Sequence, residues 1–204
     1  MHPADDEQAR GRAGAKRAVR ARVLAARDAL PAAERARLST LVCARAAGLP
    51  ELCDASSAML FASFRSEVDT DALVRSFLRR GVTVALPRVR GPRLLEAVLV
   101  ADPQTDLAPG RWGIPEPRDD LPVVGPERLD VVVVPGVAFS VGGERCGYGG
   151  GFYDAFLRRL TPGTPRLALA FEVQVVDDLP VEPHDVAIDA IVTETRVIRA
   201  YRAP

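Results

Sequence analysis

The feature that most constrains this sequence is a run of four valines, Val131–Val134, which lies between Asp130 and Pro135. Consecutive β-branched residues favour an extended strand. Because successive side chains of a strand point to opposite faces, both faces of this strand are apolar. A strand that is buried on both faces is typical of a parallel sheet covered by helices. The run therefore predicts a layered α/β fold.

Apolar periodicity in the rest of the chain predicts further strands that alternate with helices. Helices are expected from about Ala15, from Pro31, after an Asp69-Thr70 cap, and at residues 153–160. The predicted strands cover residues 57–64, 82–86, 94–100, 130–135, 167–171 and 187–192. Residues 101–128 are rich in Pro, Gly and Asp and predict a long surface or functional loop. The alternation predicts a three-layer α/β/α, Rossmann-like fold with a mainly parallel sheet.

Length and charge set the domain organisation and exclude some functions. The 204 residues are 48% hydrophobic, which suffices for one domain with its own core. We expect residues 1–14 to be a disordered tail and residues 15–204 to be a single domain. The 27 basic residues, of which only Lys16 is a lysine, balance 27 acidic ones. This neutrality argues against a general nucleic-acid-binding surface, so no nucleic-acid partner is predicted.

Cysteine content and hydrophobicity indicate the compartment. The three cysteines, Cys43, Cys53 and Cys146, have no CxxC spacing, which argues against a disulfide framework and a zinc site. No apolar run approaches the roughly 18 residues of a membrane helix, and no secretory signal is apparent. We therefore predict a cytoplasmic protein without a membrane partner.

A glycine-rich segment follows the valine strand and carries the strongest chemical signal. Residues 142–151 contain six glycines together with Arg145. Glycine permits positive φ and a close approach of ligand to backbone, the start of the next helix favours an anion, and an arginine fork suits phosphate. The segment lacks the lysine of a Walker A loop, and Phe152 interrupts a dinucleotide fingerprint. It predicts a phosphate cradle of another kind.

The sequence RCGYGGGFYD at residues 145–154 closely resembles a signature, usually RLGYGGGYYD, of the 5-formyltetrahydrofolate cyclo-ligases, also called methenyltetrahydrofolate synthetases. The preceding DVVVVPGVAF is similar to the same family. Further matches follow in the family's order: KRAVR at 16–20, SEVDT at 66–70, LPR at 86–88 and WGIPEP at 112–117. The resemblance covers about residues 15–195. It implies a topology like that of sugar isomerases and CoA transferases.

The resemblance implies a reaction and two substrates. These are 5-formyltetrahydrofolate and ATP, which give 5,10-methenyltetrahydrofolate, ADP and phosphate through a phosphorylated formyl group. Arg145 and Tyr153 match catalytic positions of the family. Nucleotide-binding positions of the family are matched by Lys16, Arg17, Arg20, Arg145, Cys146, Gly147, Tyr148, Gly149, Gly150, Gly151, Phe152 and Tyr153.

The folate and metal positions are likewise implied by the resemblance. The positions that contact folate are matched by Ala62, Glu67, Trp112, Tyr148, Gly149, Gly150, Gly151 and Phe152. A carboxylate such as that of Glu67 accepts the N–H donors of a pterin ring. Asp154 and Asp189 match the acids that the family associates with Mg²⁺, an ion that prefers oxygen ligands.

Three alternatives stay open at this point. A sugar-phosphate isomerase or a CoA-transferase-like enzyme would share the fold, and fold does not fix function. A nucleic-acid-binding module would use the arginine-rich first helix. A degenerate relative would bind folate or nucleotide without turnover. For the cyclo-ligase that the resemblance implies, we expect a monomer.

Overall fold

The computed structural model of the protein describes residues 3–200, and it describes the side chains of residues 11–200 apart from that of Trp112. This part of the chain contains six α-helices: α1 (Pro3–Asp28), α2 (Ala32–Ala47), α3 (Pro50–Cys53), α4 (Asp71–Arg79), α5 (Pro103–Asp106) and α6 (Phe152–Leu157). Single-turn 3₁₀ helices lie at Arg111–Gly113, Pro126–Arg128 and Glu172–Gln174.

The strands form one large sheet and two hairpins. They are β1 (Ser57–Met59), β2 (Thr83–Arg90), β3 (Leu94–Val100), β4 (Leu107–Pro109), β5 (Pro115–Pro117), β6 (Val123–Val124), β7 (Val131–Val134), β8 (Ala138–Phe139), β9 (Arg145–Cys146), β10 (Arg166–Leu169), β11 (Ala190–Val192) and β12 (Val197–Arg199). The central sheet has the order β12-β11-β10-β7-β1-β2-β3-β6, and the hairpins are β4–β5 and β8–β9.

The middle of the central sheet is parallel. Strands β11, β10, β7, β1 and β2 run in the same direction, and Ala58 of β1 lies between Val131 of β7 and Val84 of β2. The edges are antiparallel, with β12 on one side and β3 and β6 on the other. The prediction of an α/β fold with a mainly parallel sheet is therefore confirmed.

The four valines of β7 connect two apolar clusters on opposite faces of the sheet. Val131 and Val133 belong to the cluster that contains side chains of α2 and α4, and Val132 and Val134 belong to the cluster that contains side chains of α6. All four are fully buried. Burying one such side chain contributes about 1.5–3 kcal/mol. The valine run thus requires helices on both faces, as its sequence predicts.

Strand β1 is shorter than its predicted range, 57–64. Its ladder ends at Met59, and the following residues turn across the carboxyl end of the sheet. Thr70 occupies the N-cap position of α4, but its hydroxyl donates to the carbonyl of Phe61 and does not cap the helix. The prediction of an Asp69-Thr70 side-chain cap is therefore wrong for Thr70, because the threonine hydroxyl has a tertiary partner.

The predicted loop at 101–128 contains short regular elements. These are α5, the β4–β5 hairpin and the edge strand β6. Buried Asp106 accepts the N–H groups of Ala101 and Asp102 at 2.7 and 2.9 Å. These two bonds hold the pKa of Asp106 below its usual range. They fix the turn that leads out of β3, so the segment is more ordered than its composition predicts.

The two ends of the described chain also differ from the predictions. Helix α1 begins at Pro3, so residues 3–14 are helical where we predict a disordered tail. The division into a tail and one domain from residue 15 stays a prediction. At the other end, β12 adds an edge strand that the sequence analysis does not contain. Within the described residues, no helix combines the length and the hydrophobicity of a bilayer-crossing segment.

One face of α1 is directed at the carboxyl end of the sheet. Lys16, Arg20 and Arg27 follow each other at intervals of four and seven residues, and such intervals place side chains on one helix face. Val23 lies between them and is buried against the β8–β9 hairpin. Three cations from α1 therefore reach the region where the parallel strands end.

Candidate functional site

A narrow crevice lies at the carboxyl ends of the parallel strands, and the predicted site residue Glu67 is one of its lining residues. The chain leaves β1 toward Glu67, leaves β7 toward Gly136 and leaves β10 toward Gln174, and these residues line the crevice with Arg27 and Phe61. Open α/β sheets bind ligands at this edge. The crevice is closed and has no internal space for a water molecule, whereas complete ligand pockets have roughly 300–1,000 Å³. A ligand can therefore enter it only when side chains that line it move.

A directed chain of hydrogen bonds joins α1, the segment after β1 and the glycine-rich segment. Nη2 of Arg27 donates to the hydroxyl oxygen of Tyr148 at 3.0 Å, and that hydroxyl donates to Oε1 of Glu67 at 2.6 Å. Oε2 of Glu67 accepts the N–H of Phe64 at 2.9 Å. Because a guanidinium only donates, the hydroxyl proton of Tyr148 is directed at Glu67.

The surroundings raise the pKa values of both acidic members of this chain. Burial raises the pKa of Glu67, and the bonds from Tyr148 and Phe64 and the charge of Arg27 oppose this effect. Burial and the negative charge of Glu67 raise the pKa of Tyr148 above its ordinary value. Half of the Tyr148 side chain is exposed, whereas its hydroxyl is directed inward to these partners. Tyr148 is therefore a neutral donor at physiological pH.

Arg27 is buried without a direct carboxylate partner. Its side chain is 1% exposed. Nε donates to Oγ of Ser66 at 2.9 Å, and the Ser66 hydroxyl in turn donates to Asp28. The guanidinium carbon lies 6.0 Å from the centre of the Tyr148 ring, within the range of a cation–π contact. Nη1 is buried and has no hydrogen-bond partner among the described residues.

Arg145 and Tyr153 form the second charged group of the crevice region. Nη2 of Arg145 donates to Oδ1 of Asp154 at 2.8 Å, and the guanidinium carbon lies 6.0 Å from the centre of the Tyr153 ring. Nε of Arg145 and the hydroxyl of Tyr153 are buried, and neither has a partner in the described part of the chain. Burial and the charge of Glu67 raise the pKa of Tyr153. The structure thus brings both predicted catalytic residues together.

The glycine-rich segment is bent by glycines with positive φ and is held by α1. Gly149 and Gly151 have φ values of 99° and 68°, which side chains rarely adopt. Nε of Arg20 donates to the carbonyl of Gly147 at 2.8 Å. Cys146, within the segment, is buried, and burial raises the pKa of its thiol. Arg20 therefore lies next to the backbone that the sequence predicts to bind an anion. Helix α6, which follows this backbone, has only six residues.

Lys16 lies on the same face of α1 but is already neutralised. Its Nζ donates to Oε2 of Glu182 at 2.6 Å and to both carboxylate oxygens of Asp185 at 2.6 and 2.8 Å. Burial lowers the pKa of Lys16, but the two acids more than offset this effect and leave its pKa raised. With His184, these acids form a group close enough to hold a metal ion. The Lys16 ammonium occupies that position as their cation.

The two predicted magnesium ligands have different hydrogen-bond partners. Oδ1 of Asp154 accepts from Arg145 and from the N–H of Val186, near the carboxyl ends of the strands. Asp189 precedes β11, and its Oδ2 accepts the N–H and Nε–H of Arg166 at 2.8 and 3.2 Å. That position is at the amino ends of β10 and β11. Mg²⁺ requires converging oxygen ligands, and a magnesium site shared by Asp154 and Asp189 stays a prediction.

The remaining predicted residues lie in several environments. Arg17 is exposed on α1, and Ala62 is half-buried in the segment between β1 and Glu67. Phe152 begins α6 directly after the glycine-rich segment. The backbone of Trp112 is in the 3₁₀ turn at Arg111–Gly113, and its side chain lies outside the described residues.

Three residues of the site, Arg27, Glu182 and Asp185, are not predicted from the sequence. Arg27 is one of many arginines in the first helix. Its spacing of seven residues from Arg20 is the signal in the sequence that places it on the same helix face. Glu182 and Asp185 lie in a segment without periodicity, and nothing in their spacing indicates that they contact Lys16.

Comparison with known proteins identifies related sequences. The family described as the 5-formyltetrahydrofolate cyclo-ligase family matches residues 12–194. The chain is 38% identical over 152 residues to the 5-formyltetrahydrofolate cyclo-ligase of Escherichia coli K12, covering 72% of this chain and 83% of that one. It is 29% identical over 194 residues to the mouse cyclo-ligase, covering 88% and 94%.

Solved structures agree with these relatives. The 5,10-methenyltetrahydrofolate synthetase of Aquifex aeolicus matches with a TM-score of 0.81 and 34% identity, covering 93% of this chain and 94% of that chain. The synthetase of Mycoplasma pneumoniae has the same fold, with a TM-score of 0.72 at 23% identity. The resemblance carried by residues 145–154 is confirmed, and the chain belongs to the 5-formyltetrahydrofolate cyclo-ligase family, a family of ligases.

Proposed function

We propose that the protein catalyses the ATP-dependent cyclisation of 5-formyltetrahydrofolate to 5,10-methenyltetrahydrofolate, with release of ADP and phosphate. The observation that best supports this is the junction at Tyr148. There, a glycine-rich segment flanked by Arg20 and Arg145 meets the acid Glu67 at one crevice. Cations suit a phosphoryl group, and an acid suits the N–H edge of a pterin ring.

The chemistry requires that the formyl oxygen becomes a leaving group. This oxygen attacks the γ-phosphorus of ATP, the bond to the β,γ-bridging oxygen breaks, and ADP leaves. N10 of the folate then adds to the formyl carbon and loses its proton, and the C–O bond breaks to release phosphate. The protein has to hold three reacting groups together and neutralise the transferred phosphoryl group.

We assign the nucleotide to the cationic side of the junction. Arg145 binds the transferred phosphoryl group, and the amides of Gly147–Gly151 contact phosphate oxygens. Arg20 adds charge beside Gly147. Lys16 and Arg17 complete the nucleotide contacts that the family resemblance implies. Because the Lys16 ammonium is bound to two carboxylates, it reaches ATP only by exchanging one of them.

We assign the folate to the acidic side of the junction. Tyr148 donates to Glu67 in the way that a pterin N–H would. The ring therefore competes with the Tyr148 hydroxyl for the same carboxylate oxygen. Ala62, Phe152 and the Tyr148 ring supply apolar contacts around it. Trp112 is kept as a folate-contacting residue on the resemblance alone.

Protein-bound magnesium has no step in this proposal. We assign Asp154 to holding Arg145 in position. We assign Asp189 to joining β10 and β11 through Arg166. A monomeric state, a cytoplasmic location and the absence of a nucleic-acid or membrane partner stay predictions.

The test is a direct assay of the full chain. We expect purified protein, 5-formyltetrahydrofolate and Mg-ATP to give the near-ultraviolet absorbance of the methenyl product, with one phosphate released per product. Reactions without ATP are the control. Absence of product with a folded protein and saturating substrates contradicts the proposal. Tight folate or ATP binding in that case identifies a degenerate relative.

A further inference from the structure

Arg27 is the buried charge that the proposed reaction does not use. It lines the crevice beside Glu67, and its Nη1 has no partner among the described residues. Surveys of folded proteins find the large majority of buried donors paired. A buried donor left unpaired destabilises the protein unless a ligand or water accepts its bond. The unpaired Nη1 therefore points to an acceptor that enters the crevice.

The charges around Arg27 define what that acceptor can be. Its direct partners, Ser66 and Tyr148, are neutral, and the acids in its vicinity are Glu67 across Tyr148 and Asp28 behind Ser66. The crevice thus presents a carboxylate acceptor and a guanidinium donor next to each other. Its other lining groups are mostly apolar side chains and backbone. A neutral ring with adjacent donors and an acceptor matches this pair.

We propose that Arg27 binds the ring carbonyl oxygen of the pterin through Nη1 and thereby determines specificity for a 4-oxo ring. This inference rests on the proposed function. The pterin edge carries an amino group, a ring N–H and a carbonyl oxygen in succession. Glu67 accepts from the N–H groups, and Arg27 donates to the oxygen that follows.

A phosphate oxygen of ATP is the other acceptor with suitable chemistry. The carboxylate of Glu67 lines the same crevice and repels an anion, so the structure favours the neutral carbonyl. The experiment distinguishes the two by measuring each ligand separately.

The test compares 5-formyltetrahydrofolate with its 4-thioxo analogue. This analogue keeps the N–H donors for Glu67 and replaces the carbonyl oxygen with sulfur, a weak acceptor. Calorimetry without ATP measures both affinities for the wild type, for Arg27→Gln and for Arg27→Lys. Arg22→Gln is the matched control, because Arg22 is an exposed arginine of the same helix. ATP affinity is measured in parallel for each protein.

We expect the wild type and Arg22→Gln to bind the oxo ligand about 10-fold more tightly than the thioxo ligand, as expected for one hydrogen bond from a charged donor. In Arg27→Gln this preference falls to about twofold or less, while ATP affinity is unchanged. Arg27→Lys keeps the charge and serves if the glutamine variant does not fold. Its shorter reach and different donor geometry also reduce the preference.

Two outcomes overturn the inference. If the Arg27 variants weaken both folate ligands equally and keep the preference, Arg27 only supports Ser66 and Tyr148. If ATP affinity falls instead, Nη1 serves a phosphate. If Arg27 does not bind the ring carbonyl oxygen, the wild type still forms product in the cyclisation assay. A wild type that neither binds 5-formyltetrahydrofolate nor forms product contradicts the proposed function as well.

Discussion

Two cations of α1, Lys16 and Arg27, are both buried, and they differ in the groups that contact their charge. Lys16 contacts two carboxylates, Glu182 and Asp185. Arg27 contacts a serine and a tyrosine and keeps one nitrogen without a partner among the described residues. A neutralised cation contributes to folding, whereas a partly unmatched one is ready to bind a ligand. Substitutions at the first should mainly change stability, and substitutions around the second should mainly change activity.

The largest expected effect is on stability, from Lys16→Met. This change leaves Glu182 and Asp185 without their cation and should lower the free energy of unfolding by about 3 kcal/mol, the lower end of the range for broken buried pairs because Glu182 is partly exposed. Urea unfolding measures it. Lys16→Arg keeps the charge and recovers most of the stability, so its KM for ATP reports the nucleotide contact alone. A fully stable Lys16→Met variant contradicts the comparison.

Arg145→Lys should affect activity more than stability. It keeps the charge beside Asp154 but loses the fork that suits a phosphoryl group. We expect kcat to fall about 100-fold, as for other lost transition-state contacts, with a small change in unfolding free energy. Arg79→Lys, an exposed arginine on α4, is the control. Normal turnover in Arg145→Lys would leave Arg145 with a structural role only.

Tyr148→Phe should lower the stability of the protein and at the same time raise its affinity for folate. Loss of the hydroxyl removes the bonds to Arg27 and Glu67 and should lower the free energy of unfolding by about 1–2 kcal/mol. In the proposed function the same hydroxyl competes with folate for Glu67. We therefore expect a several-fold lower dissociation constant for 5-formyltetrahydrofolate, measured by calorimetry. Weaker folate binding would mean that the hydroxyl contacts the substrate.

Asp189→Asn should have a small effect, because Asp189 lies at the amino ends of the strands. Its carboxylate bonds to Arg166 suggest a loss of about 1 kcal/mol in stability. We expect kcat and the magnesium concentration for half-maximal rate to change by less than about twofold. Asp154→Asn, beside Arg145, is the comparison variant and should reduce turnover more. If Asp189→Asn needed a higher magnesium concentration for half-maximal rate, Asp189 would be a metal ligand.

The smallest expected effects are opposite slopes of stability with pH. The bond from Lys16 lowers the pKa of Glu182 below its ordinary value of 4.5, so its stabilisation is present above that pH and is lost as pH falls through the lowered pKa. Burial raises the pKa of Glu67, so stability is lost as pH rises from 4.5 through the raised pKa. Glu182→Gln and Glu67→Gln should each remove one slope in thermal unfolding. If the melting temperatures of both variants changed with pH in parallel with that of the wild type, this assignment would be contradicted.

Much of the fold follows from the sequence because it depends on local pattern. The valines of β7 require two apolar layers, and the structure has them. The ends of elements are less accessible, because long-range bonds determine them. Threonine is a residue type that caps helices, but the hydroxyl of Thr70 donates to the carbonyl of Phe61 instead. No local pattern indicates such a partner.

The candidate site is predictable where its residues share a segment or a helix face. Arg145, Tyr148 and Tyr153 come from one motif, and the structure brings them to one edge of the sheet. Asp189 matches the family by position, but the direction of β11 carries it to the opposite edge. Arg27 has no motif, and its importance appears only when its burial and its unpaired nitrogen are known.

Helix α1 holds two neighbouring residues of the glycine-rich segment from positions two turns apart. Arg20 bonds to the carbonyl of Gly147, and Arg27 bonds to the hydroxyl of Tyr148. Each residue of an α-helix turns the chain by about 100°. One inserted or deleted residue between Arg20 and Arg27 would rotate one of the two arginines off the site face. This interval of the helix should tolerate many changes of side chain and no change of length.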